Sequence, residues 1–513
     1  MERQLGRMSS AVSAAALRRR YLELLKRSLG DFLYDAEKPD GDGADGEAPF
    51  FYVDPRSGRT VPLTIYDMRK LHGIEGGDRA HSMIGLKRLD QLQLAVETVL
   101  REGVPGDLVE TGILRGGACI LMRGVLAAHG VGDRIVWGAD SFRGFPPRVI
   151  TPGCWPEQRF YTWAVPRAQV EENFRRYGLF DSQVCLLEGW FAETLPAAPI
   201  AQVAVLRLDG DLYESTWDAL QILYPKLSPG GFAIIDDYHA WPECRQAVGD
   251  YRALHGITTP LIAVDPICVY WRKPGPEPAP LAPRAEPEAE AERLRAMYLE
   301  LLKRSLGDFL YDRDREALLV RPIPAGPAEL ADYDRRKAAG LLASGNAQSL
   351  IGRARMDHMQ TAIETLLREG VPGDLLEAGG LRGGASLLMC GLLDAHGVTD
   401  RSVWVAGAPD PAAVAGLEQC LLRYDLLDRH VRILAGSETL PAAPIQALAL
   451  IHLNTGEAAS IEALALLYLR LSPGGFVILA GNALIRAAEA WRQALGITSP
   501  MLQISPTSTC WRK

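Results

Sequence analysis

The chain contains one sequence twice, and no other feature constrains its fold as strongly. Arg20–Asp35 reads RYLELLKRSLGDFLYD, and Ala296–Asp312 reads AMYLELLKRSLGDFLYD. Gly103–Ala118 reads GVPGDLVETGILRGGA, and Gly370–Ala385 reads GVPGDLLEAGGLRGGA. Repeats of this length do not arise by chance, so the 513-residue chain is a tandem duplication.

We expect two domains, residues 1–273 and residues 293–513, each long enough to bury a full core. Between them, residues 274–292 read PGPEPAPLAPRAEPEAEAE, which predicts an extended, semi-rigid linker. No apolar run approaches the roughly 20 residues that cross a bilayer, and no basic run is present to follow nucleic-acid phosphates. Scattered cysteines and the lack of an apolar secretory segment near the N-terminus predict a cytoplasmic protein.

Helices and apolar strands alternate along the first copy. Leu86–Arg101 carries apolar residues at helical spacing, and Ser215–Leu227 is a second predicted helix. Gln202–Asp209 and Gly231–Asp237 are almost wholly apolar, which is typical of strands buried on both faces. This alternation predicts an α/β fold with a mostly parallel, Rossmann-like sheet. In such folds, ligands bind at the carboxyl ends of the strands.

A glycine-rich turn follows one predicted strand. The segment Glu110–Ala118 reads ETGILRGGA, so the strand ends in an acid and the glycines let the backbone approach a ligand closely. Its spacing departs from GxGxxG, which argues against a dinucleotide site, and a tight turn without a ligand is the alternative. Asp140 ends the next predicted strand, where a carboxylate can accept both hydroxyls of a ribose. A helix cap or a solvated strand end is the alternative there.

Carboxylates follow two further predicted strands. Asp209 ends one of them, and Asp236 and Asp237 end the next. Neighbouring parallel strands would bring the three carboxylates together, where they repel one another unless a cation lies between them. Hard oxygen ligands suit Mg²⁺, whereas helix caps and solvated strand ends are the alternative. Asp211, on the following loop, is the predicted general base, and His239 is its rival.

With these residues in view, the first copy resembles the macrocin O-methyltransferase family, whose members methylate sugar hydroxyls in the mycinamicin and novobiocin pathways. The segments that carry the resemblance are MIGLKRLDQLQ, GVPGDLVETGILRGGA, WGADSFRGFP, EENFRRYGL, LRLDGDLYEST, YPKLSPGGFAIIDDY and VYWRK. The resemblance implies S-adenosylmethionine as methyl donor and Mg²⁺ held by Asp209, Asp236 and Asp237. It also implies Asp211 as the general base.

The resemblance further implies which residues bind the cofactor. Glu110 and Gly112 fall beside its methionine part, Asp140 and Ser141 at its ribose, and Glu188–Trp190 near its adenine. The full predicted cofactor set is Glu110, Thr111, Gly112, Arg115, Gly116, Gly117, Asp140, Ser141, Phe142, Glu188, Gly189 and Trp190. The polar, glycine-rich stretch at about residues 36–82 corresponds to the family's lid over the substrate.

The second copy keeps the scaffold segments but has lost the acids. Glu377 persists, whereas the counterparts of the predicted ribose and metal residues are Gly407, Asn454, Ala480 and Gly481. This loss predicts a pseudoenzyme domain that packs against the first copy as an intramolecular pseudo-dimer. Further self-association of the whole chain stays open.

The leading interpretation is a Mg²⁺- and S-adenosylmethionine-dependent O-methyltransferase, active in the first domain only. Its expected acceptor is a sugar hydroxyl of a natural product or glycolipid, as in antibiotic biosynthesis. A phenolic or other small-molecule hydroxyl is the alternative acceptor. A binding or assembly module is the non-enzymatic alternative, which suits the second copy but is opposed by the acids of the first. We expect a glycosylated small molecule as partner, and neither a nucleic acid nor a membrane.

Overall fold

The structure is a computed structural model, and it contains two sheets of the same design. It describes residues 12–33, 50–53, 60–63, 80–146, 163–275, 288–312, 326–338, 341–342, 349, 351–379, 383–408, 411–426, 431–435, 440, 442–454 and 457–513. Each copy contributes one 7-stranded sheet, and a separate 2-stranded sheet lies within the predicted lid.

The first copy alternates strands with helices, as its sequence predicts. Its helices are α1 (Ala14–Leu29), α2 (Gly85–Arg101), α3 (Gly117–Ala128), α4 (Arg167–Tyr177), α5 (Phe191–Ala197), α6 (Tyr213–Leu223) and α7 (Pro242–Leu254). Its strands are β1 (Phe50–Val53), β2 (Thr60–Leu63), β3 (Asp107–Thr111), β4 (Val136–Asp140), β5 (Val184–Glu188), β6 (Val203–Leu208), β7 (Leu227–Ile235), β8 (Ile262–Ala263) and β9 (Val269–Arg272).

The large sheet of the first copy has the order β5-β4-β3-β6-β7-β9-β8. Strands β3 to β7 are parallel to one another, whereas β9 is antiparallel to β7 and β8 is antiparallel to β9. The predicted α/β class with a mostly parallel, Rossmann-like sheet is therefore confirmed. The order reverses beside β3, because β4 lies on one side of it and β6 on the other. Open α/β sheets bind ligands at such a switch point.

One predicted boundary is wrong. The helix predicted at Ser215–Leu227 ends at Leu223, and Leu227 already belongs to β7. Pro225 lies in the short 3₁₀ turn between them, Tyr224–Lys226. Proline has no N–H to donate, so it cannot continue the α-helical ladder. Strand β7 consequently starts earlier than predicted and stops just before Asp236.

The second copy has the same strand order, β12-β11-β10-β13-β14-β16-β15. Its helices are α8 (Glu288–Leu306), α9 (Pro327–Ala338), α10 (Gly352–Arg368), α11 (Gly384–Ala395), α12 (Pro411–Arg423), α13 (Glu457–Arg470) and α14 (Asn482–Ala494). Its strands are β10 (Asp374–Ala378), β11 (Val403–Ala408), β12 (Val431–Ala435), β13 (Leu448–Leu453), β14 (Leu471–Ala480), β15 (Leu502–Ser505) and β16 (Ser508–Arg512). Helix α8 begins within the stretch predicted as linker, and residues 276–287 of that stretch lie outside the described residues.

Helices α1 and α8, which carry the repeated YLELLKRSL segment, pack against each other. Their buried leucines belong to one hydrophobic cluster that runs through both copies. Polar contacts at the helix ends are related by the repeat. Arg27 donates to the carbonyl oxygen of Arg423 (2.9 Å), and its counterpart Arg304 donates to that of Arg176 (2.6 Å).

Most of the predicted lid, residues 36–82, lies outside the described residues. Its described parts are the antiparallel pair β1–β2 and residues 80–82. Among the helices that the structure describes, none is both long and apolar enough to span a membrane.

Candidate active site

A cavity of about 920 Å³ opens at the carboxyl ends of the parallel strands of the first copy. Ten of the residues predicted from the sequence line it. They are Glu110, Gly112, Gly117, Asp140, Ser141, Trp190, Asp209, Asp211, Asp236 and Asp237. The structure therefore gathers the predicted turn, strand-end acids and loop base around one space.

Three carboxylates form a cluster in this cavity. Asp209, Asp211 and Asp237 each place one oxygen within 4.8 Å of the others. Asp209 follows β6 and Asp237 follows β7, and these strands are neighbours with Leu208 paired to Ile235. The predicted approach of the acids thus results from the register of two adjacent parallel strands.

Asp236, predicted as a metal ligand together with Asp209 and Asp237, lies between two arginines. Its Oδ2 accepts a hydrogen bond from Arg88 Nη1 at 2.7 Å, and its Oδ1 lies 2.5 Å from Arg207 Nη2. Asp211, predicted as the base, takes the third place in the cluster of close oxygens. The sequence predicted all four acids. It did not predict that Asp236 pairs with arginines while Asp211 joins the cluster of close oxygens.

Arg207 is the central cation of the site. It sits inside β6 with 1% of its surface exposed, and its Nη1 contacts Glu110 and lies 2.8 Å from Asp209 Oδ2. Arg88, from α2, joins the same network and also contacts Asp265 Oδ2 at 2.6 Å. Sequence analysis missed both arginines. The available signal was an arginine within the apolar strand VAVLRL, because a charge buried in such a strand requires a partner.

The carboxylates outnumber the two arginines, and their pKa values reflect this excess. Burial, followed by repulsion from Asp236, raises the pKa of Asp209 well above its usual range. Burial and then Asp211 raise the pKa of Asp237, and burial and then Asp209 raise the pKa of Asp211 to about 7. A half-buried set of oxygen donors with uncompensated negative charge fits a hard divalent cation.

Asp140 fastens the glycine-rich turn to the sheet. Its Oδ2 accepts hydrogen bonds from the N–H groups of Ile113 (2.9 Å) and Leu114 (3.2 Å), and its Oδ1 accepts from Phe142 (2.7 Å). Gly112 follows β3 with φ of 80°, and a Cβ there would lie 1.7 Å from the carbonyl oxygen of Asp209. The turn therefore approaches the loop after β6 too closely for any side chain.

Three non-glycine residues at the site have left-handed backbones. Leu114 has φ of 47°, Phe142 has φ of 55° and Asp211 has φ of 58°. Each such residue stores on the order of 1–3 kcal/mol of strain, which the surrounding structure must offset. Strained backbones of this kind concentrate at functional sites, and here they direct Leu114 and Asp211 to the cavity wall.

Seven other predicted residues do not line the cavity. They are Thr111, Arg115, Gly116, Phe142, Glu188, Gly189 and His239. Arg115 Nη1 donates to the carbonyl oxygen of Ala80 at 3.2 Å. His239 is exposed, and its ring meets Tyr238 edge-on at 4.8 Å between centroids. Of the two predicted bases, Asp211 is the one that lines the cavity.

Three aromatic residues that sequence analysis did not select form one wall of the cavity. The ring of Phe145 lies 5.2 Å from that of Trp163 and 6.3 Å from that of Trp241, between centroids. Isolated aromatic residues in loops carry no periodic signal, so only the fold reveals that these three meet.

The corresponding region of the second copy lacks the ion pairs that surround Arg207 in the first copy. His452 replaces Arg207, and its Nδ1 lies 3.8 Å from Glu377 Oε1, beyond hydrogen-bond distance. Burial, and then Arg355, lowers the pKa of His452 to about 3. Arg355, the counterpart of Arg88, has a buried Nε without a hydrogen-bond partner among the described residues. The network that balances charge in the first copy is absent from these residues.

A parallel α/β sheet with a glycine-rich turn and acidic strand ends at its switch point defines an enzyme domain that binds a nucleotide-like cofactor. The model of the macrocin-O-methyltransferase family matches residues 18–273, 296–420 and 412–513. This chain therefore belongs to the macrocin-O-methyltransferase family, and both copies carry the family's sequence.

Named relatives are similar to about half of the chain. The 8-demethyl-8-(2,3-dimethoxy-alpha-L-rhamnosyl)-tetracenomycin-C 4'-O-methyltransferase of Streptomyces olivaceus is 50% identical over 49% of this chain and 92% of its own length. The mycinamicin III 3''-O-methyltransferase of Micromonospora griseorubida is 47% identical over 49% of this chain and 96% of its own length. The solved O-methyltransferase NovP is 43% identical, covers 50% of this chain and all of its own, and has a TM-score of 0.42.

Proposed function

We propose that the first domain transfers the methyl group of S-adenosylmethionine to a sugar hydroxyl of a natural-product glycoside. The observation that supports this most directly is the cavity that joins the turn at Gly112 to the acids Asp209, Asp211 and Asp237. Relatives named for methylating glycosides, at 47–50% identity, support the same acceptor class. The methyl donor carries its own activated group, so the protein must bind, orient and deprotonate the acceptor.

The cofactor would lie along the turn that Asp140 fastens. Gly112 and Gly117 line the cavity at this turn, and Trp190 lines it on the side of β5. An acidic cavity also attracts the positively charged sulfonium of the donor and favours it over the neutral product.

A divalent cation would be held by Asp209 and Asp237, with Asp236 as the third ligand. When bound, it would supply Lewis-acid stabilisation of negative charge on the acceptor. We assign the base to Asp211, because its carboxylate lines the cavity and lies within 4.8 Å of the oxygens of Asp209 and Asp237, whereas His239 does not line the cavity. Asp236 keeps its orientation through Arg88 and Arg207.

The aromatic wall supports a ring-shaped acceptor. The faces of Phe145, Trp163 and Trp241 offer apolar surface against which a sugar ring or an aglycone can stack. A phenolic acceptor would use the same surface. Because the glycosides named for the relatives are sugar acceptors, we place the phenol second.

We propose that the second domain is a pseudoenzyme that serves as a built-in partner. Gly407, Asn454, Ala480 and Gly481 offer no carboxylate at the positions that bind in the first copy. Helix α8 packs on α1, and the residues that line the first copy's cavity all belong to the first copy.

The direct test is methyl transfer from labelled S-adenosylmethionine to a panel of glycosides, their aglycones and simple phenols. We expect transfer to glycosides with free sugar hydroxyls, loss of transfer in EDTA, and recovery on adding Mg²⁺. Transfer that prefers the aglycones or phenols would replace the sugar assignment. Transfer that persists in EDTA would remove the metal from the proposal.

Asparagine variants test the division of roles among the acids. We expect Asp209→Asn and Asp236→Asn to weaken Mg²⁺ binding, whereas Asp211→Asn keeps Mg²⁺ affinity and lowers kcat by about 10²-fold or more. The exposed Asp250, outside the cavity, provides the control Asp250→Asn. If Asp211→Asn loses Mg²⁺ and Asp236→Asn retains it, Asp211 and Asp236 exchange roles.

A further inference from the structure

One aromatic residue of the second copy reaches the wall of the first copy's cavity. Tyr311 lies just beyond α8 and is buried, with 5% of its surface exposed. Its hydroxyl donates to the backbone at the end of α1, at the carbonyl oxygens of Ser28 and Leu29, the latter at 3.2 Å. Its ring stacks on the imidazole of His81, with centroids 4.4 Å apart and planes 10° apart.

His81 belongs to the cavity wall. It lines the cavity together with Ser82, Met83 and Ile84. Its Nδ1 lies 2.9 Å from the hydroxyl of Tyr177. Burial lowers the pKa of His81 well below its usual range, so the ring is neutral and packs as an aromatic group.

The backbone around His81 touches the proposed cofactor turn. A Cβ on Gly117, the first residue of α3, would lie 2.3 Å from the carbonyl oxygen of His81. Arg115 donates to the carbonyl oxygen of Ala80, and the N–H of Ser82 donates to that of Leu29 at 3.0 Å. Residues 80–84 are therefore held between α1, the turn and Tyr311.

The second copy also forms hydrogen bonds with the end of α4. Arg304 of α8 donates to the carbonyl oxygen of Arg176 at 2.6 Å, and Arg176 Nη1 donates to that of Leu310 at 3.2 Å. These contacts place Tyr177, the hydrogen-bond partner of His81, against the second copy. In the sequence of the second copy, Gln348 stands at the position of His81, so the repeat provides no second imidazole there.

We propose that Tyr311 is a positioning residue for the active site of the first copy. It holds His81 and the cavity wall at residues 80–84 against the turn that binds the cofactor. The degenerate second copy therefore supports the cavity wall of the first copy through His81 and does not touch substrate. This inference rests on the proposed function only in naming S-adenosylmethionine as the ligand of the turn.

The test is calorimetric titration of the full chain with S-adenosylhomocysteine, the product form of the cofactor, together with steady-state kinetics. We expect Tyr311→Ala to weaken binding roughly fivefold or more, as neighbouring residues in one packed unit commonly couple. Tyr311→Phe keeps the stacked ring and should restore most of the affinity. Tyr311→Leu fills the space without a ring and should bind as weakly as Tyr311→Ala, which keeps the test valid if the alanine variant unfolds.

The matched control is Arg20→Ala, which removes a contact between the copies to Asp394 that lies away from the cavity. It should leave the dissociation constant unchanged. Combining Tyr311→Leu with His81→Gln should give a smaller loss than the sum of the two single variants, because both act through one stack.

Wild-type affinity in Tyr311→Leu, or an equal loss in Arg20→Ala, would overturn the proposal. A wild-type chain that binds S-adenosylhomocysteine but methylates no acceptor would contradict the proposed function. The positioning role of Tyr311 would still be tested by the affinity of the variants for S-adenosylhomocysteine.

Discussion

At the scale of single residues, the site is organised by a buried charge network rather than by isolated acids. Arg207 joins Glu110, Asp209 and Asp236, which come from three different strand ends. Although burial opposes it, the neighbouring carboxylates raise the pKa of Arg207 well above its usual value, so the guanidinium stays charged. A cation placed this way holds these acids close together despite their mutual repulsion.

Arg207→Met should lower the free energy of unfolding of the first domain by about 3 kcal/mol, because it leaves buried carboxylates without their cation. The second copy offers the matched control His452→Met. His452 is fully buried, yet neither ring nitrogen has a hydrogen-bond partner among the described residues, so its loss should cost little. Calorimetric unfolding measures the stability of both variants. Equal destabilisation by Arg207→Met and His452→Met would contradict a stabilising role of the Arg207 ion pairs.

The raised carboxylate pKa values also predict a dependence on pH when metal is absent. Asp211 has a pKa of about 7 in the folded chain and about 3.9 when unfolded. Between these two pKa values, the folded state holds a proton on Asp211 that the unfolded chain releases. The contribution of Asp211 to the free energy of unfolding is therefore complete below about pH 4 and is lost as pH rises through about 7. In EDTA, the unfolding temperature should fall over this range, and less steeply in Asp211→Asn. Parallel curves for the two proteins would exclude Asp211 as the source.

At the scale of elements, the turn between β3 and α3 depends on two close approaches. Gly112 meets the backbone of Asp209, and Gly117 meets the backbone of His81. The turn therefore links the loop after β6 to the cavity wall at residues 80–84. Both contacts are between backbones, so a shifted side chain elsewhere cannot relieve them.

Gly112→Ala should abolish binding of S-adenosylhomocysteine and destabilise the first domain, because a Cβ would overlap the carbonyl oxygen of Asp209. Gly103→Ala is the control. Gly103 also has a left-handed backbone, with φ of 64°, but no atom lies within 4 Å of the place that a Cβ would occupy there. It should therefore show only the backbone cost of about 1–2 kcal/mol and unchanged binding. Titration and thermal unfolding of both variants separate the clash from the backbone strain.

At the scale of the whole molecule, two copies of one fold pack against each other through α1 and α8. If Tyr311 positions His81 as we propose, a chain truncated after the first copy would lose part of the support of its own cavity. Helix α1 would also lose the leucines of α8 that cover it.

The full chain should bind one molecule of S-adenosylhomocysteine and not two. The second copy has Gly407 in place of Asp140, so it lacks the carboxylate that fastens the turn. Asp140→Ala should therefore remove the single binding event, and titration gives the stoichiometry of both proteins. Two sites per wild-type chain would contradict the pseudoenzyme assignment of the second domain.

The sequence by itself determined the duplication, the parallel α/β class and the strand ends that carry Asp209, Asp236 and Asp237. These follow from local patterns, since apolar runs specify strands and the residues after them fall at one edge of the sheet. Only the tertiary structure decided that Asp236 lies between Arg88 and Arg207, and that Tyr311 stacks on His81. Such contacts join residues far apart in the chain, and no periodicity records which distant side chain a buried charge or ring will meet.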